Sequence, residues 1–235
     1  LGDVYKRQVQ LTAAQDVYFN YRQLLSTGYR HDNCQFYMPG FWYRRNLRSP
    51  KKAPSFHTSD SWLVREDRLS APLTGIFSEK EKRFMTVNRL DDFSMDALAT
   101  HKEGEIILSG KTSLGFTGFE NQQGIAMLSF GFPYREAPKS YIRKLTLAPE
   151  VEAFQLMKKG ESVLLTWEIM ESGADDFSDF IQNTWEHCYD TYAPKPVENS
   201  YSIADMKQVL SCFFVNSLVD NQPLVYNSGI HLKVS

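Results

Sequence analysis

Cysteine is scarce in this sequence, long apolar runs are missing, and neither sign of charge is in large excess. Three cysteines, Cys34, Cys188 and Cys212, lie far apart among 235 residues, so they form neither a disulfide framework nor a zinc-binding spacing. The apolar runs are too short to cross a bilayer, and we expect no membrane span. A formal net charge of -2 makes nucleic acid a poor partner, because binding to phosphates requires a basic surface.

Familiar catalytic and metal-binding motifs are missing as well. The five histidines include no HExxH pair, and the chain has no GxSxG nucleophile elbow. The glycines of GFTGFE lack the spacing and the strand-to-helix setting of a phosphate loop. We therefore predict no metal and no cofactor, and the sequence contains no visible self-contained catalytic site.

Aromatic residues, by contrast, are abundant. The chain has 16 Phe, 12 Tyr and 4 Trp, which together make up 14% of it. Aromatic side chains favour strands, and exposed ones can stack on flat ligands such as sugar rings. The composition therefore favours a β-rich body with aromatic stacking surfaces. An aromatic core with a purely structural role is the alternative.

Short alternating or aromatic-rich segments, separated by polar turns with glycine, fill the chain from residue 9 to about residue 172. This pattern is typical of antiparallel sheet. At least eight strands are predicted, and they require two stacked sheets because one open sheet would leave an apolar face in water. The predicted fold class is mainly β, a large antiparallel two-sheet sandwich of the supersandwich kind.

Three hairpins are predicted within this region. Residues 74–77 and 83–87 flank the charged tip SEKEK, and residues 111–119 meet residues 124–132. The clearest pattern joins AFQLM to SVLLTWEIM through the turn KKGE. One face of the second strand in this pair is predicted to carry Val163, Leu165, Trp167 and Ile169.

After residue 173 the apolar period changes from two to nearly four, which predicts helices. The segment DDFSDFIQNTWEHCYDTY has aspartates that favour a helix start. Its inward face is predicted to hold Phe177, Phe180, Ile181, Thr184, Trp185 and Cys188. A second helix is predicted to begin at Ser202, with Asp205 completing a capping box, and to end near residue 220. Its inward residues are Ile203, Met206, Val209, Leu210, Phe213 and Phe214.

The predicted organisation has three parts. Residues 1–8, LGDVYKRQ, resemble a translated sequencing-library adapter, because CTC GGA GAT GTG TAT AAG AGA CAG encodes them and is similar to a transposase end with its flanking sequence. A genuine first strand is the alternative, since Val4 and Tyr5 suit strands. Residues 9–172 form the sandwich, and residues 173–235 form a linker helix and the start of a helical domain that we expect to be truncated.

The stretch FYMPGFWYRRN is the first candidate ligand site. Its proline and glycine predict a turn, and the strand that follows alternates its side chains between two sides. Aromatic planes beside guanidinium and amide groups suit a polyhydroxylated ligand. The candidate substrate-binding residues are therefore Trp42, Tyr43, Arg44 and Asn46. The alternative is an edge strand whose aromatic side chains pack between sheets while its arginines stay solvated.

The stretch SDSWLVREDRLSAPL is the second candidate, with Trp62, Arg65 and Arg68 in cleft-facing or domain-interface roles. Glu66 and Asp67 are adjacent, so in a strand they point to opposite sides and cannot form an acid–base pair. Catalysis by the sandwich itself would need two inward carboxylates roughly 5 to 10 Å apart in one pocket. The carboxylates to consider for that role are Glu66, Asp67, Glu136 and Glu168.

The order of these segments resembles that of Bacteroidota carbohydrate-active enzymes in which a large N-terminal β-sandwich precedes an (α/α) toroid. The resemblance extends over most of residues 9–235. It is carried by FYMPGFWYRRN, DSWLVREDRLSAPLTGIFS, FPYREAPKSYIRKLTLAP, LLTWEI, DFIQNTWEHCYDTYAPKP and SIADMKQVLSCFFVNSL. It implies that the catalytic carboxylates lie on loops of the toroid, while loops of the sandwich form one wall of the cleft.

The resemblance implies an N-terminal, non-catalytic fragment of a periplasmic or extracellular glycoside hydrolase or related polysaccharide-processing enzyme. The implied partners are a carbohydrate ligand and the C-terminal helical domain of the same chain. The alternative is a stand-alone carbohydrate-binding or cell-surface β-sandwich whose terminal helices dock on its own sheet. The first hypothesis leaves the apolar face of the second helix exposed, and the second covers it.

Overall fold

A computed structural model of the chain describes residues 2–47, 54–91, 106–109, 112–143, 146–195 and 202–216. The chain divides into two compact units, Leu1–Cys188 and Tyr189–Ser235. All described strands belong to the first unit, and the second helix belongs to the second unit.

Fourteen strands and two α-helices are present in the described ranges. The strands are β1 (Asp3–Thr12), β2 (Val17–Phe19), β3 (Tyr21–Arg30), β4 (Cys34–Met38), β5 (Trp42–Arg44), β6 (Trp62–Arg65), β7 (Leu73–Ser78), β8 (Arg83–Arg89), β9 (Ile106–Ser109), β10 (Phe116–Gln122), β11 (Ile125–Phe132), β12 (Arg135–Arg143), β13 (Thr146–Met157) and β14 (Ser162–Gly173). The helices are α1 (Phe177–Tyr192) and α2 (Ile203–Asn216).

These strands form two sheets. The first has the order β1-β14-β8-β7-β4-β5, and the second has the order β2-β13-β12-β6-β10-β11-β3 with β9 beside β13. The pairs are antiparallel except β9 with β13, which is parallel. The predicted mainly β fold with two antiparallel sheets is confirmed. Asn20 alone separates β2 from β3 at opposite ends of the second sheet, so this sheet curls and its ends approach each other.

Apolar side chains from both sheets meet in one core. Phe36 of the first sheet stacks on Phe119 of the second with ring centroids 4.0 Å apart, and Trp167 contacts Phe130 at 5.1 Å. Alternation explains this packing, because every second residue of a strand points to the same face. As predicted, four residues of β14 belong to this core: Val163, Leu165, Trp167 and Ile169.

Two of the three predicted hairpins are confirmed. Strand β7 pairs with β8 across the charged tip, and β10 pairs with β11. The third prediction is wrong, because β13 and β14 belong to different sheets. The turn between them bonds instead to the link between β1 and β2. Ala13 accepts a backbone hydrogen bond of 2.8 Å from Gly160 and donates one of 3.0 Å to Glu161. The β1–β2 link and the β13–β14 turn therefore run side by side from one sheet to the other.

Helix α1 packs on the outer face of the first sheet through its residues up to 188. Gly75 of β7 makes room for it, since a Cβ at this position would lie 2.5 Å from Cζ of Phe180. Its His187 lies 2.7 Å from the carboxylate of Glu168 on β14. The predicted inward face is confirmed for the buried residues Phe177, Phe180, Thr184 and Cys188. Trp185 departs from it and is 39% exposed.

Helix α2 begins where the sequence predicts. The hydroxyl of Ser202 accepts a hydrogen bond of 3.1 Å from the backbone N–H of Asp205, whose carboxylate accepts one of 2.9 Å from the N–H of Ser202. This is the predicted capping box. Its exposed apolar side chains include Ile203, Met206, Val209, Leu210, Phe213 and Phe214. The predicted helix end near residue 220 lies outside the described residues, and the larger helical domain stays a prediction.

Strand β1 pairs with β14 along its whole length, from Asp3 to Thr12. The side chains of residues 3–8 are exposed, whereas Val9 and Leu11 pack against the core. Strand pairing therefore begins at Asp3 and contact with the core at Val9, and the start of the sandwich at residue 9 stays a prediction. The origin proposed for residues 1–8 stays a prediction.

Candidate functional site

Trp42 and Trp62 lie inside the sandwich. Both are fully buried, and their ring centroids are 6.0 Å apart. Each indole N–H donates internally, from Trp42 to the carbonyl oxygen of Arg44 at 2.9 Å and from Trp62 to that of Ser59 at 3.1 Å. Their expected role in ligand contact is wrong, because neither ring is open to solvent. Strand β5 is an edge strand, and Trp42 packs between the sheets as the alternative predicted.

Asn46 organises the loop that follows β5. Its side-chain amide donates to the carbonyl oxygens of Phe41 at 3.3 Å and Pro54 at 3.0 Å. Its φ of 52° is left-handed, a conformation that asparagine adopts more readily than most residues. Both amide hydrogens are therefore occupied by the loop backbone, so the structure gives Asn46 a structural contact.

Tyr43 and Arg44 reach the outer surface. Tyr43 is 51% exposed, lies opposite Tyr37 in the β4–β5 register, and has its ring centroid 5.4 Å from that of Tyr37. In a regular strand Arg44 would share the inward side of Trp42. Its φ of 56° breaks the alternation, and its guanidinium carbon lies 5.0 Å from the ring centroid of Phe177 on α1.

Helix α1 adds a further exposed ring to this surface. The indole N–H of Trp185 donates a hydrogen bond of 2.5 Å to the hydroxyl of Tyr37. Tyr37 is buried, so it forms a fixed base between the exposed rings of Tyr43 and Trp185. We call the surface formed by Tyr37, Tyr43, Arg44, Phe177 and Trp185 the outer aromatic patch.

The length of the patch follows from helix geometry. Phe177 and Trp185 are eight residues apart on α1, and a rise of about 1.5 Å per residue separates them by about 12 Å along the helix axis. Burial raises the pKa of the Tyr37 hydroxyl, so this group stays protonated at neutral pH. The base of the patch is therefore uncharged, and Arg44 supplies the positive charge at one end.

Acidic residues at the start of α1 lie near that charge. Asp176 accepts backbone hydrogen bonds of 2.9 Å from Asp179 and 2.7 Å from Ser178. These bonds lower the pKa of Asp176, with a smaller contribution from the charge of Arg44. Among the described residues, Arg44 forms no ion pair.

Arg65 and Arg68 are bound within the second sheet. Arg65 pairs with Asp67 at 2.5 Å and lies 5.4 Å from the ring centroid of Tyr134. Arg68 pairs with Glu136, whose carboxylate also accepts a hydrogen bond from a buried serine. The patch lies on the outer face of the first sheet, so the structure does not bring these two candidates together with Tyr43 and Arg44.

Glu66 lies in a buried charged cluster where β6, β8 and β10 approach each other. Its Oε2 accepts hydrogen bonds of 2.7 Å from Arg89 and from the backbone N–H of Gly115. Arg89 also donates to Asp91 at 3.2 Å. Burial raises the pKa of Glu66, although the charge of Arg89 opposes the shift. These contacts tie the ends of three strands together.

The four carboxylates considered for catalysis by the sandwich are each bound by a different basic residue. The pairs are Glu66 with Arg89, Asp67 with Arg65, Glu136 with Arg68, and Glu168 with His187. Such contacts hold strands and helix α1 in place. Within the described ranges, no group of three or more His, Cys, Asp or Glu side chains is arranged to hold a metal ion.

No protein-family model and no curated protein matches this chain. In the part of the chain that the structure describes, no helix has the length and apolar character needed to cross a membrane.

Proposed function

We propose that this sandwich is a non-catalytic, carbohydrate-contacting part of a glycoside hydrolase or related polysaccharide-processing enzyme. The observation that carries the proposal is the outer aromatic patch, where Tyr43 and Trp185 are exposed over the buried ring of Tyr37. Apolar faces of pyranose rings stack on exposed aromatic rings, and the hydroxyl and guanidinium groups beside them bind sugar hydroxyls.

Rigidity of the patch supports this role. The Tyr37 hydroxyl fixes the indole of Trp185, and the backbone N–H of Gly40 donates to the hydroxyl of Tyr43 at 3.3 Å. Side chains that are held before binding lose less conformational entropy when a ligand arrives. A fixed pair of exposed rings is therefore better suited to ligand contact than two mobile ones.

The parent-enzyme part of the proposal has separate support. The four carboxylates considered for catalysis are each bound to a basic side chain, which favours a catalytic site elsewhere in the enzyme. The exposed apolar side chains of α2 suit contact with further helices. We propose a C-terminal helical domain of the same chain and a carbohydrate as partners, and a periplasmic or extracellular location.

Affinity electrophoresis in native gels tests carbohydrate contact. The gels contain xylan, β-glucan, galactan, arabinan, alginate or polygalacturonate, and retardation measures binding. We expect at least one of these polysaccharides to retard the protein. Tyr43→Ala and Trp185→Ala are each expected to weaken the retardation roughly tenfold, as loss of a stacking aromatic contact would.

Tyr18→Ala is the matched control, because Tyr18 is 47% exposed but lies on β2 of the second sheet. It is expected to bind as the wild type does. An equal loss of retardation in all three variants would contradict binding at this particular patch. Absence of retardation in every gel would contradict carbohydrate binding.

A stand-alone carbohydrate-binding sandwich is the second candidate. It is favoured by α1, which buries Phe177 and Phe180 against the first sheet. The parent-enzyme proposal requires hydrolytic or lyase activity on the bound polysaccharide when the complete reading frame is expressed. A complete protein that binds a polysaccharide and leaves it intact would favour the stand-alone sandwich.

A further inference from the structure

We propose that Arg44 makes the outer aromatic patch selective for glycans that carry carboxylates, such as polymers of uronic acids. This inference rests on the proposed function, because it names the ligand class of the same surface.

The backbone at Arg44 aims the guanidinium at the patch. Its φ of 56° lies in the left-handed region, which is unfavourable for a non-glycine residue. The backbone there takes the side chain away from the inward direction of the strand and over Phe177 at 5.0 Å. The left-handed conformation therefore places a cation over the buried ring of Phe177, at one end of the patch.

The guanidinium of Arg44 stacks on an aromatic face and forms no ion pair among the described residues, although its charge acts on nearby Asp176. Stacking on an aromatic ring leaves the N–H edge of a guanidinium free, and that edge matches the two oxygens of a carboxylate. Six other arginines in the described part of the sandwich have an acidic partner. The pairs are Arg22–Glu120, Arg65–Asp67, Arg68–Glu136, Arg83–Glu171, Arg89–Glu66 and Arg135–Glu152.

Two of the acids at the start of α1, Asp176 and Asp179, are engaged by backbone donors. Asp176 accepts the N–H groups of Ser178 and Asp179, and Asp179 accepts that of Asp175 at 2.9 Å. Lys82 adds a second positive charge, since its ammonium donates 2.7 Å to the carbonyl oxygen of Asp175. An incoming carboxylate therefore meets an arginine without an ion pair among the described residues.

Two pairs of probes separate charge recognition from ring stacking. Polygalacturonate is compared with its methyl ester, and alginate with its propylene glycol ester, so that the backbone is kept while the carboxylates are blocked. We expect the wild type to bind at least one free acid roughly tenfold or more tightly than its ester, the size of a lost charge-assisted hydrogen bond. Added salt is expected to remove most of this preference.

Three variants assign the preference to Arg44. Arg44→Gln and Arg44→Gly are expected to bind the acid and the ester alike, because the charge that distinguishes the two probes is gone. Glycine tolerates the left-handed backbone, so Arg44→Gly keeps the fold. Arg30→Gln is the control, because Arg30 is exposed on β3 of the second sheet, and it is expected to keep the preference.

The outcomes distinguish this inference from the proposed function. Equal binding of acid and ester by the wild type, or an unchanged preference in Arg44→Gln and Arg44→Gly, would overturn the role of Arg44. Retardation only in gels with neutral glycans, and dependent on Tyr43 and Trp185, would do the same and leave the proposed function standing. No binding to any glycan would overturn both.

Discussion

The indole nitrogen of Trp185 and the phenolic oxygen of Tyr37 are 2.5 Å apart. This hydrogen bond joins α1 to β4 across the outer face of the first sheet. It also fixes the exposed ring of Trp185 against Tyr37, the buried residue on which the exposed ring of Tyr43 packs. The same contact therefore serves the docking of the helix and the geometry of the proposed ligand surface.

A double-mutant cycle on this pair measures its contribution to stability. Trp185→Phe leaves the buried Tyr37 hydroxyl without its indole donor, and we expect a loss of about 1–2 kcal/mol in the free energy of unfolding. Tyr37→Phe removes the acceptor. Urea denaturation of the double variant should show less loss than the sum of the two single variants. Strict additivity would mean that the two side chains do not interact.

Gly75→Ala tests the fit of α1 on the first sheet. The added Cβ would lie 2.5 Å from Cζ of Phe180, so the helix must shift, and we expect a loss of about 1–3 kcal/mol. Phe180→Leu removes the clashing atoms and should recover part of that loss in the Gly75→Ala background. The control is Gly173→Ala, where the nearest atom is 3.6 Å away. Equal stability of the two alanine variants would contradict the close contact.

His31 is expected to make the fold less stable in mild acid. It is buried between Phe36 and Phe56, and burial lowers its pKa below the ordinary value. The folded state therefore binds fewer protons than the unfolded state between that lowered pKa and about 6.5. Stability is fully present above this window and falls by at most about 1.4 kcal/mol per pH unit as pH decreases through it.

Urea denaturation at neutral pH and about one unit below the ordinary histidine pKa measures this effect. His31→Gln is expected to show a smaller loss of stability between the two conditions than the wild type. His57→Gln is the matched control, because His57 is exposed, and it should lose as much as the wild type. If His31→Gln also loses as much, His31 is not the responsible group.

Thiol labelling tests the surroundings of the three cysteines. Burial raises the pKa of Cys34 and of Cys188 to about 12, whereas Cys212 is exposed. At mildly alkaline pH we expect an aromatic disulfide reagent to modify Cys212 quickly and the other two only after unfolding. Cys212→Ser should abolish the fast reaction. Fast labelling that persists in this variant would contradict the burial of Cys34 and Cys188.

Sequence periodicity correctly predicted which side of a strand faces the core, but it did not predict every strand pairing. Val163, Leu165, Trp167 and Ile169 alternate toward the core as expected. The same alternation on β13 and β14 suggested a hairpin, because a short turn between two strands fits either a hairpin or a link between sheets. The backbone bonds of Ala13 to Gly160 and Glu161 accompany the second arrangement, and they come from a segment about 150 residues away that local patterns do not reveal.

Strand and helix periodicity in the sequence predicted only part of the candidate site. Tyr43 and Arg44 reach the surface, whereas Trp42 and Trp62 fill the core, and an aromatic residue in a strand gives the same sequence signal in either place. The left-handed φ of Arg44 breaks the strand alternation, and no local sequence motif predicts that conformation. The apolar period predicts Trp185 on the inward face of α1. It lies at the border of that face, where a large ring is partly covered and partly exposed.

The most direct test of the outer aromatic patch is the quenching of tryptophan fluorescence by acrylamide, with and without a polysaccharide that retards the protein. Trp42, Trp62 and Trp167 are buried, and Trp185 is the exposed member of the four, so quenching reports mainly on Trp185. A ligand on the patch should lower the quenching constant, and Trp185→Phe should remove that change. Binding that leaves the quenching of Trp185 unaltered would place the ligand elsewhere and contradict the proposed site.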